Sequence, residues 1–484
     1  MTVRRDSSTE SQTPKWQISG MLCLPLFWIM TITAFCYMTS FLLFQFGYVE
    51  LGRSSPDSDE YIQAAENISL SHILSGDVDT LRPPVYPTMI RLAQILFGKE
   101  HAYLALIVFQ YFLYFISIWF FHRIVQEEFH LSPLCSVACV TCYSLTPTLV
   151  AHHQKILSES LSISSFVIIF ALISFHIRRP TYRTVVLLGF SGLYLVMLRP
   201  AFLFFVPLLF VFWFLVAVSR RAELSRHLVG LGCTIISIAL ILGYCHLVQK
   251  KCGIFAVTEV AIANQYMIIV QSGLYQYGAD TEVIDLIQTS IDRGKKLHPD
   301  FPPVNSWISP YGLPNETYLN YFGSLQCQSV ALERQAAFVT QILRDHQWKY
   351  LRYCMGKFIG VQHEVIGGRL SPQIITFQLI YFLLACEAIT ILLYRFRTNC
   401  TTLFRFMLWA AIAGVIVTTV LGAGHATRPP LELTEYSRLV TPAIPFVIIL
   451  IFRYIDVLLS FWKTIGKTLK TELSNDTISL SYRK

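Results

Sequence analysis

Uncharged apolar runs of about 20 residues recur along the chain, the length a helix needs to cross the hydrocarbon core of a bilayer. About ten such runs stand out, near residues 21–46, 102–121, 132–150, 156–175, 184–198, 201–218, 228–248, 373–393, 406–422 and 439–457. They predict an all-α, polytopic integral membrane protein, with 184–198 the shortest of the runs. The first run holds about 26 uncharged residues and lacks a small-x-small cleavage pattern, so it is expected to remain as an anchor instead of being removed as a signal peptide.

Two segments between the runs, 47–101 and 249–372, are too long to be simple connectors, and loops of that size carry function or a small domain of their own. They divide the chain into an N-terminal transmembrane module at 1–248, a loop domain at 249–372 and a C-terminal transmembrane module at 373–484. In the first loop, Ser58 to Ser75 sets Tyr61, Ile62, Ala65, Ile68 and Leu74 on one helical face, with Gly76 as its stop. Beyond Arg82-Pro83-Pro84-Val85-Tyr86-Pro87, a second amphipathic helix sets Met89, Leu92, Ala93 and Leu96 against Arg91 and Gln94 and stops at Gly98. Both read as helices lying on the membrane surface. The long loop is Pro- and Gly-punctuated from His298 to Pro314 and then helical in pattern from Gln328 to Phe358, which predicts a small, mainly helical cap. The chain has no internal repeat and no matched pair of broken helices, which counts against a transporter built from inverted halves.

Composition agrees with lipid as the solvent: 54% of residues are hydrophobic, 14% are charged and the mean hydropathy is +0.51. Lys and Arg concentrate on one side, about eighteen in the predicted inner segments against about eight in the short outer loops. That asymmetry places both termini in the cytoplasm and both long loops outside. It also accounts for the net charge of +8, so no nucleic-acid partner is needed. Of the twelve cysteines, Cys135, Cys139 and Cys142 sit inside apolar runs, where a thiol behaves as a small hydrophobe. Cys252, Cys327 and Cys354 leave a disulfide in the long loop open without choosing a pair. Asn67-Ile68-Ser69 and Asn315-Glu316-Thr317 are glycosylation sequons by pattern.

Four polar clusters fall at outer helix ends in this topology: Asp57-Ser58-Asp59-Glu60-Tyr61, His152-His153-Gln154-Lys155 with Glu159, Arg199, and Glu435-Tyr436-Ser437-Arg438. Carboxylates beside spans are costly unless solvated or paired, so their gathering at one face implies a water-accessible cavity at the outer leaflet. Each residue also has an ordinary structural explanation. Asp57 suits a helix N-cap, Asp59, Glu60 and Glu159 are first-turn acids favoured by the helix dipole, and Arg82, Arg199 and Arg438 can snorkel to the headgroups. His152 and His153 read as interfacial polar residues and not as metal ligands. Asp57-Ser58-Asp59 spells a D-x-D triplet, but such triplets recur by chance and this one lies on the wrong side for a cytoplasmic nucleotide sugar.

Pro56-Asp57-Ser58-x-x-Tyr61-x-x-x-Ala65 followed by Arg82-Pro83-Pro84-x-Tyr86-Pro87 resembles the first outer loop of the GT-C superfamily of membrane glycosyltransferases, which includes protein O-mannosyltransferases and the lipid A aminoarabinose transferase. Leu157-Ser158-Glu159, Leu198-Arg199-Pro200 and Arg438-Leu439-Val440-Thr441-Pro442 resemble later landmarks of the bacterial relatives. The resemblance implies a GT-C-type fold and transfer, with inversion, of a sugar from a polyprenyl or dolichyl phosphate to a hydroxyl of a cell-envelope glycan, lipid or protein. In that expectation Asp57 is the base, with Asp59 and Glu159 as further acids. Arg82, Tyr86, Arg199, Tyr436 and Arg438 hold the donor. No cofactor is required, and a divalent metal is left open. Bottom-up reasoning agrees: an outward-facing site needs a donor that has already crossed the membrane, and a phosphate leaving group needs only one base and fixed cations. The rival readings are a lipid or solute transporter, and a polysaccharide polymerase or ligase that uses a diphosphate-linked oligosaccharide.

Overall fold

A computed structural model describes residues 56–68, 78–146, 149, 152–297, 329–363, 400–422 and 441–481. Among them the regular structure is helical, with no strand. The helices are α1 (Pro56–Asn67), α2 (Val85–Glu127), α3 (Pro133–Leu145), α4 (Ser158–Arg178), α5 (Tyr182–Leu198), α6 (Phe205–Ser219), α7 (Leu224–Cys252), α8 (Val260–Gln271), α9 (Thr281–Leu297), α10 (Ser329–His363), α11 (Cys400–Gly422) and α12 (Ile444–Ser481), joined by short 3-10 turns such as Pro200–Phe204.

Six helical stretches among the described residues are long and apolar enough to cross a membrane: Val85–Glu127, Ser158–Arg178, Pro200–Ser219, Arg221–Cys252, Leu403–Leu421 and Thr441–Ile465. Their outer surfaces are apolar, with Phe210, Phe214, Ile235, Ile236, Val457 and Leu458 all exposed, which water would not tolerate but lipid requires. The protein is thus an α-helical, multi-pass membrane protein. Two of the expected runs form helices shorter than these six. α3 has 13 residues, or about 20 Å at 1.5 Å per residue, against a core about 30 Å thick. It stops at Leu145 because Thr146 precedes Pro147 and is driven out of the helical region, to φ −60° and ψ 115°. α5 has 17 residues and ends in the same way at Arg199, extended before Pro200. The runs at 21–46 and 373–393 lie outside the described residues.

α4 is the central helix, buried on nearly every side. Its serine-rich first turns let neighbours approach closely, and lower down Phe166 and Phe170 interlock with Phe205 and Phe446, centroids 5.0–6.3 Å apart. α5 packs tightly on α7 through Gly189: a Cβ there would come within 2.3 Å of the Cys233 Cβ, and Ser237 donates to the Gly189 carbonyl at 2.9 Å.

The first loop differs from expectation in three details. α1 ends at Asn67 and not at Ser75, and residues 69–77, including Gly76, lie outside the described set. The segment 85–97 runs directly into the next span, with the break at Gly98 (φ 75°, ψ 160°) that the sequence marked as a stop. Its faces are also rearranged. Tyr86, Ile90, Ala93 and Gln94 turn inward, whereas Leu92, Ile95, Leu96 and Phe97 are exposed, as befits a helix wedged between protein and lipid. Nothing crowds the missing Gly98 Cβ, so only backbone conformation holds a glycine there. Gly98→Ala is therefore expected to cost about 1 kcal/mol of stability, and an unchanged unfolding temperature would show that the break is not needed.

Within 249–372 the described residues are mainly helical. α8, α9 and α10 enclose a core of Tyr266, Ile269, Ile287, Phe338, Val339 and Ile342. Cys252 and Cys354 are both buried, and Cys327 lies outside the described residues.

Candidate functional site

The polar residues of the segment 56–86 meet the N-terminal end of α4 and the C-terminal end of α5. Asp57 and Glu60 are one turn apart on α1, facing the segment 78–84. There the Arg82 guanidinium takes both carboxylates: Nη2 lies 2.5 Å from Asp57 Oδ1 and 2.7 Å from Glu60 Oε2, and Nε donates to Glu60 Oε2 at 2.9 Å. The same guanidinium stacks over the Tyr61 ring at 4.7 Å. Burial opposes the charge on Arg82, but the acidic groups of Tyr61, Asp57 and Glu60 outweigh it and raise its pKa, so the cation is permanent.

Tyr61 bridges inward. Its hydroxyl is hydrogen-bonded to Ser158 Oγ at 2.9 Å, at the first residue of α4, and its ring meets Tyr86 edge-on at 5.0 Å. Burial raises the Tyr61 pKa, with Glu159 adding to the effect and Arg82, Ser158 and Arg199 opposing it, so the group is a neutral phenol. Next to Ser158, Glu159 pairs with Arg199, Oε1 to Nη2 at 3.4 Å, and the Glu159 side chain is only 2% exposed. Arg199 Nη1 is buried with no hydrogen-bond partner among the described residues. Tyr86 donates to Gln110 Oε1 at 2.9 Å, and Gln110 Nε2 donates at 3.1 Å to the carbonyls of His153 and Lys155, tying α2 to the start of α4.

Five of the expected site residues, Asp57, Arg82, Tyr86, Glu159 and Arg199, thus share one connected network built from four separate stretches of sequence. Asp59 does not join it and is exposed on the far side of α1. Glu435, Tyr436 and Arg438 lie outside the described residues. The interfacial reading of His153 is wrong: its ring is fully buried, stacked on Tyr114 at 4.1 Å, with Nδ1 2.6 Å from Ser160 Oγ. Burial pushes its pKa down to about 3, with His152 adding to the shift. The ring is therefore neutral, and enclosing it costs no ionic desolvation.

Sequence reasoning missed what holds Arg82 in place. Four consecutive carbonyls are each gripped from the end of α7 and the turn after it. Lys251 Nζ donates to Val78 O at 2.8 Å, Tyr244 Oη to Asp79 O at 2.9 Å, the Glu259 N–H to Thr80 O at 3.0 Å and Thr258 Oγ1 to Leu81 O at 2.7 Å. Asp79 Oδ1 then accepts from the N–H groups of Leu81 and Arg82 at 2.8 and 2.7 Å. Tyr244, Lys251 and Thr258 are spaced by seven, a polar stripe at the end of an apolar span that the sequence did offer as a signal. Glu259 is the sole charged residue between Lys251 and Asp280.

Chemically, the network offers a carboxylate pair fixed by one cation, a phenol, and a second arginine whose carboxylate partner leaves one N–H edge unused. Asp57 and Glu60 against Arg82 leave a local charge of −1, while Glu159 and Arg199 cancel. Searches find no protein-family model that matches the chain, and no curated protein matches it either.

Proposed function

We propose that this protein is a membrane glycosyltransferase of the GT-C type, moving a sugar from a polyprenyl-phosphate donor to a hydroxyl of an envelope glycan, lipid or protein. The observation that supports it best is the convergence of Asp57, Arg82, Glu159 and Arg199, from four stretches of chain, at the outer ends of α1, α4 and α5. The resemblance of the first loop to GT-C enzymes carries the sugar and the lipid phosphate. In the full reading about ten helices span the membrane, both termini are cytoplasmic and the site faces outward.

The roles follow from the charges. Asp57, oriented by Arg82, takes the proton of the acceptor hydroxyl as that oxygen bonds to the anomeric carbon. The bond from that carbon to the phosphate oxygen breaks on the opposite face, with inversion. The phosphate leaves as an anion and needs cations, not a proton. Arg82 is already occupied by two carboxylates, so the unused Nη1 edge of Arg199 is the better described group for the phosphate, with Arg438 as its expected companion.

The test is incubation of the purified chain with radiolabelled polyprenyl-phosphate sugars and membrane acceptors, alongside topology reporters. Transfer from one lipid-phosphate donor is expected, with reporters after residues 75 and 300 outside and those after 180, 224 and 470 inside. No transfer from any donor, or a cytoplasmic signal at 75, overturns the reading.

A further inference from the structure

The grip on residues 78–81 ends at Glu259, and that residue has more to offer than its backbone. Glu259 is only 4% exposed. One oxygen is accounted for by the Thr80 hydroxyl, whereas Oε2 is buried with no hydrogen-bond partner among the described residues. Its charged neighbours are Asp79, Lys251 and Glu60, and Glu60 also shares the Arg82 guanidinium, so the carboxyl belongs to the immediate surroundings of the site. Burial raises its pKa first, Asp79 and Glu60 add to that, and Thr80 and Lys251 oppose it.

Buried polar atoms are almost always hydrogen-bonded, and a carboxylate oxygen left with an open lone pair beside two further acids asks for a donor. The surroundings say which kind. Asp57, Glu60, Asp79 and Glu259 outnumber Arg82 and Lys251, so this corner repels an anion and does not suit the lipid phosphate itself. A neutral hydroxyl fits. Its O–H can reach the open lone pair without adding charge, and the rest of the carboxyl stays fixed by Thr80 and by the helix that starts at Val260.

We propose that Glu259 is a sugar-recognition residue, its Oε2 accepting a hydrogen bond from one hydroxyl of the glycosyl group carried on the lipid phosphate. This rests on the glycosyltransferase reading above and adds to it a division of labour: Arg199 reads the phosphate, and the joint between α7 and α8 reads the sugar. The grip on residues 78–81 then serves both, since it fixes Arg82 and Glu259 relative to each other through Thr80.

The experiment measures binding to the detergent-purified full chain of heptaprenyl phosphate alone and of heptaprenyl phosphate carrying glucose, mannose, galactose or arabinose. The tightest sugar is carried forward with its monodeoxy analogues. In the natural chain, one deoxy position is expected to lose roughly 10- to 100-fold in affinity, the range for a hydrogen bond to a charged group. In Glu259→Met the sugar-bearing lipid should fall to the affinity of that deoxy analogue, the deoxy change should have no further effect, and the bare lipid should bind as before. Glu259→Gln keeps one acceptor oxygen and should lie between; it carries the comparison if the Met variant does not fold. A deoxy penalty of equal size with and without Glu259, or no deoxy position that matters in the natural chain, overturns the proposal. Failure of every lipid phosphate, bare or glycosylated, to bind the natural chain is a different result and sinks the glycosyltransferase reading together with it.

Discussion

Asp57→Asn is expected to lower sugar transfer by roughly 100- to 10,000-fold, the usual range for removing a general base, while insertion and donor binding are kept. The asparagine oxygen can still accept from Arg82 Nη2, which lies 2.5 Å from the Asp57 carboxylate, so the segment 78–84, the strap held by α7, and α1 stay joined. It cannot take up a proton from an acceptor hydroxyl. Glu60 remains on the same guanidinium at 2.7 Å, so the change tests the base and not the scaffold. Asp59→Asn is the control, because it removes an equal charge from the exposed side of the same helix and should leave transfer intact. Initial rates with a saturating donor decide the matter. Full activity in Asp57→Asn sinks the assignment, and full activity there with loss in Asp59→Asn moves the role to Asp59.

The second large effect is on stability. In Arg199→Met, Glu159 keeps its place at the start of α4 with a side chain 2% exposed, but loses the guanidinium 3.4 Å away. Removing one partner of a buried pair costs about 3–5 kcal/mol, because the remaining charge loses its counter-ion in low dielectric. Adding Glu159→Gln removes that charge and is expected to restore most of the loss. Donor binding should not return with it, since the phosphate still lacks Arg199. Denaturation in detergent together with donor titration separates the two. Equal stability of the single and double variants shows that the pair is not coupled, and full donor binding in Arg199→Met removes Arg199 from the phosphate site.

Much of the fold is legible in the sequence because crossing a bilayer imposes a minimum apolar length, and runs such as 156–175 and 201–218 meet it directly. The end of α3 was legible too, but only to a reader who set the Thr146-Pro147 pair above the apolar run that continues past it. The site was half visible. Asp57, Arg82, Glu159 and Arg199 are polar residues beside apolar runs, which makes them conspicuous, yet their pairing is not: sequence offers Arg82 and Arg199 as equal phosphate ligands, and geometry shows Arg82 filled by two carboxylates. His153 was misread because burial of a neutral imidazole leaves no mark in local composition. The grip on residues 78–81 was hidden for a related reason, since its acceptors are backbone carbonyls, which every residue type supplies.

That grip also sets an order of events during synthesis. Its three side-chain bonds join residues 165, 173 and 177 positions apart. At 5–20 residues per second, the donors leave the ribosome roughly 10–35 s after the strap they will hold. Through that interval α1, α2 and α4 can already assemble, but the carbonyls of residues 78–81 have only water or lipid headgroups to bond, and Arg82 has no fixed backbone beneath it. The corner around Arg82 therefore matures late, when the seventh predicted span is in place. A nascent chain arrested before Tyr244 emerges would be a membrane-inserted but chemically silent intermediate.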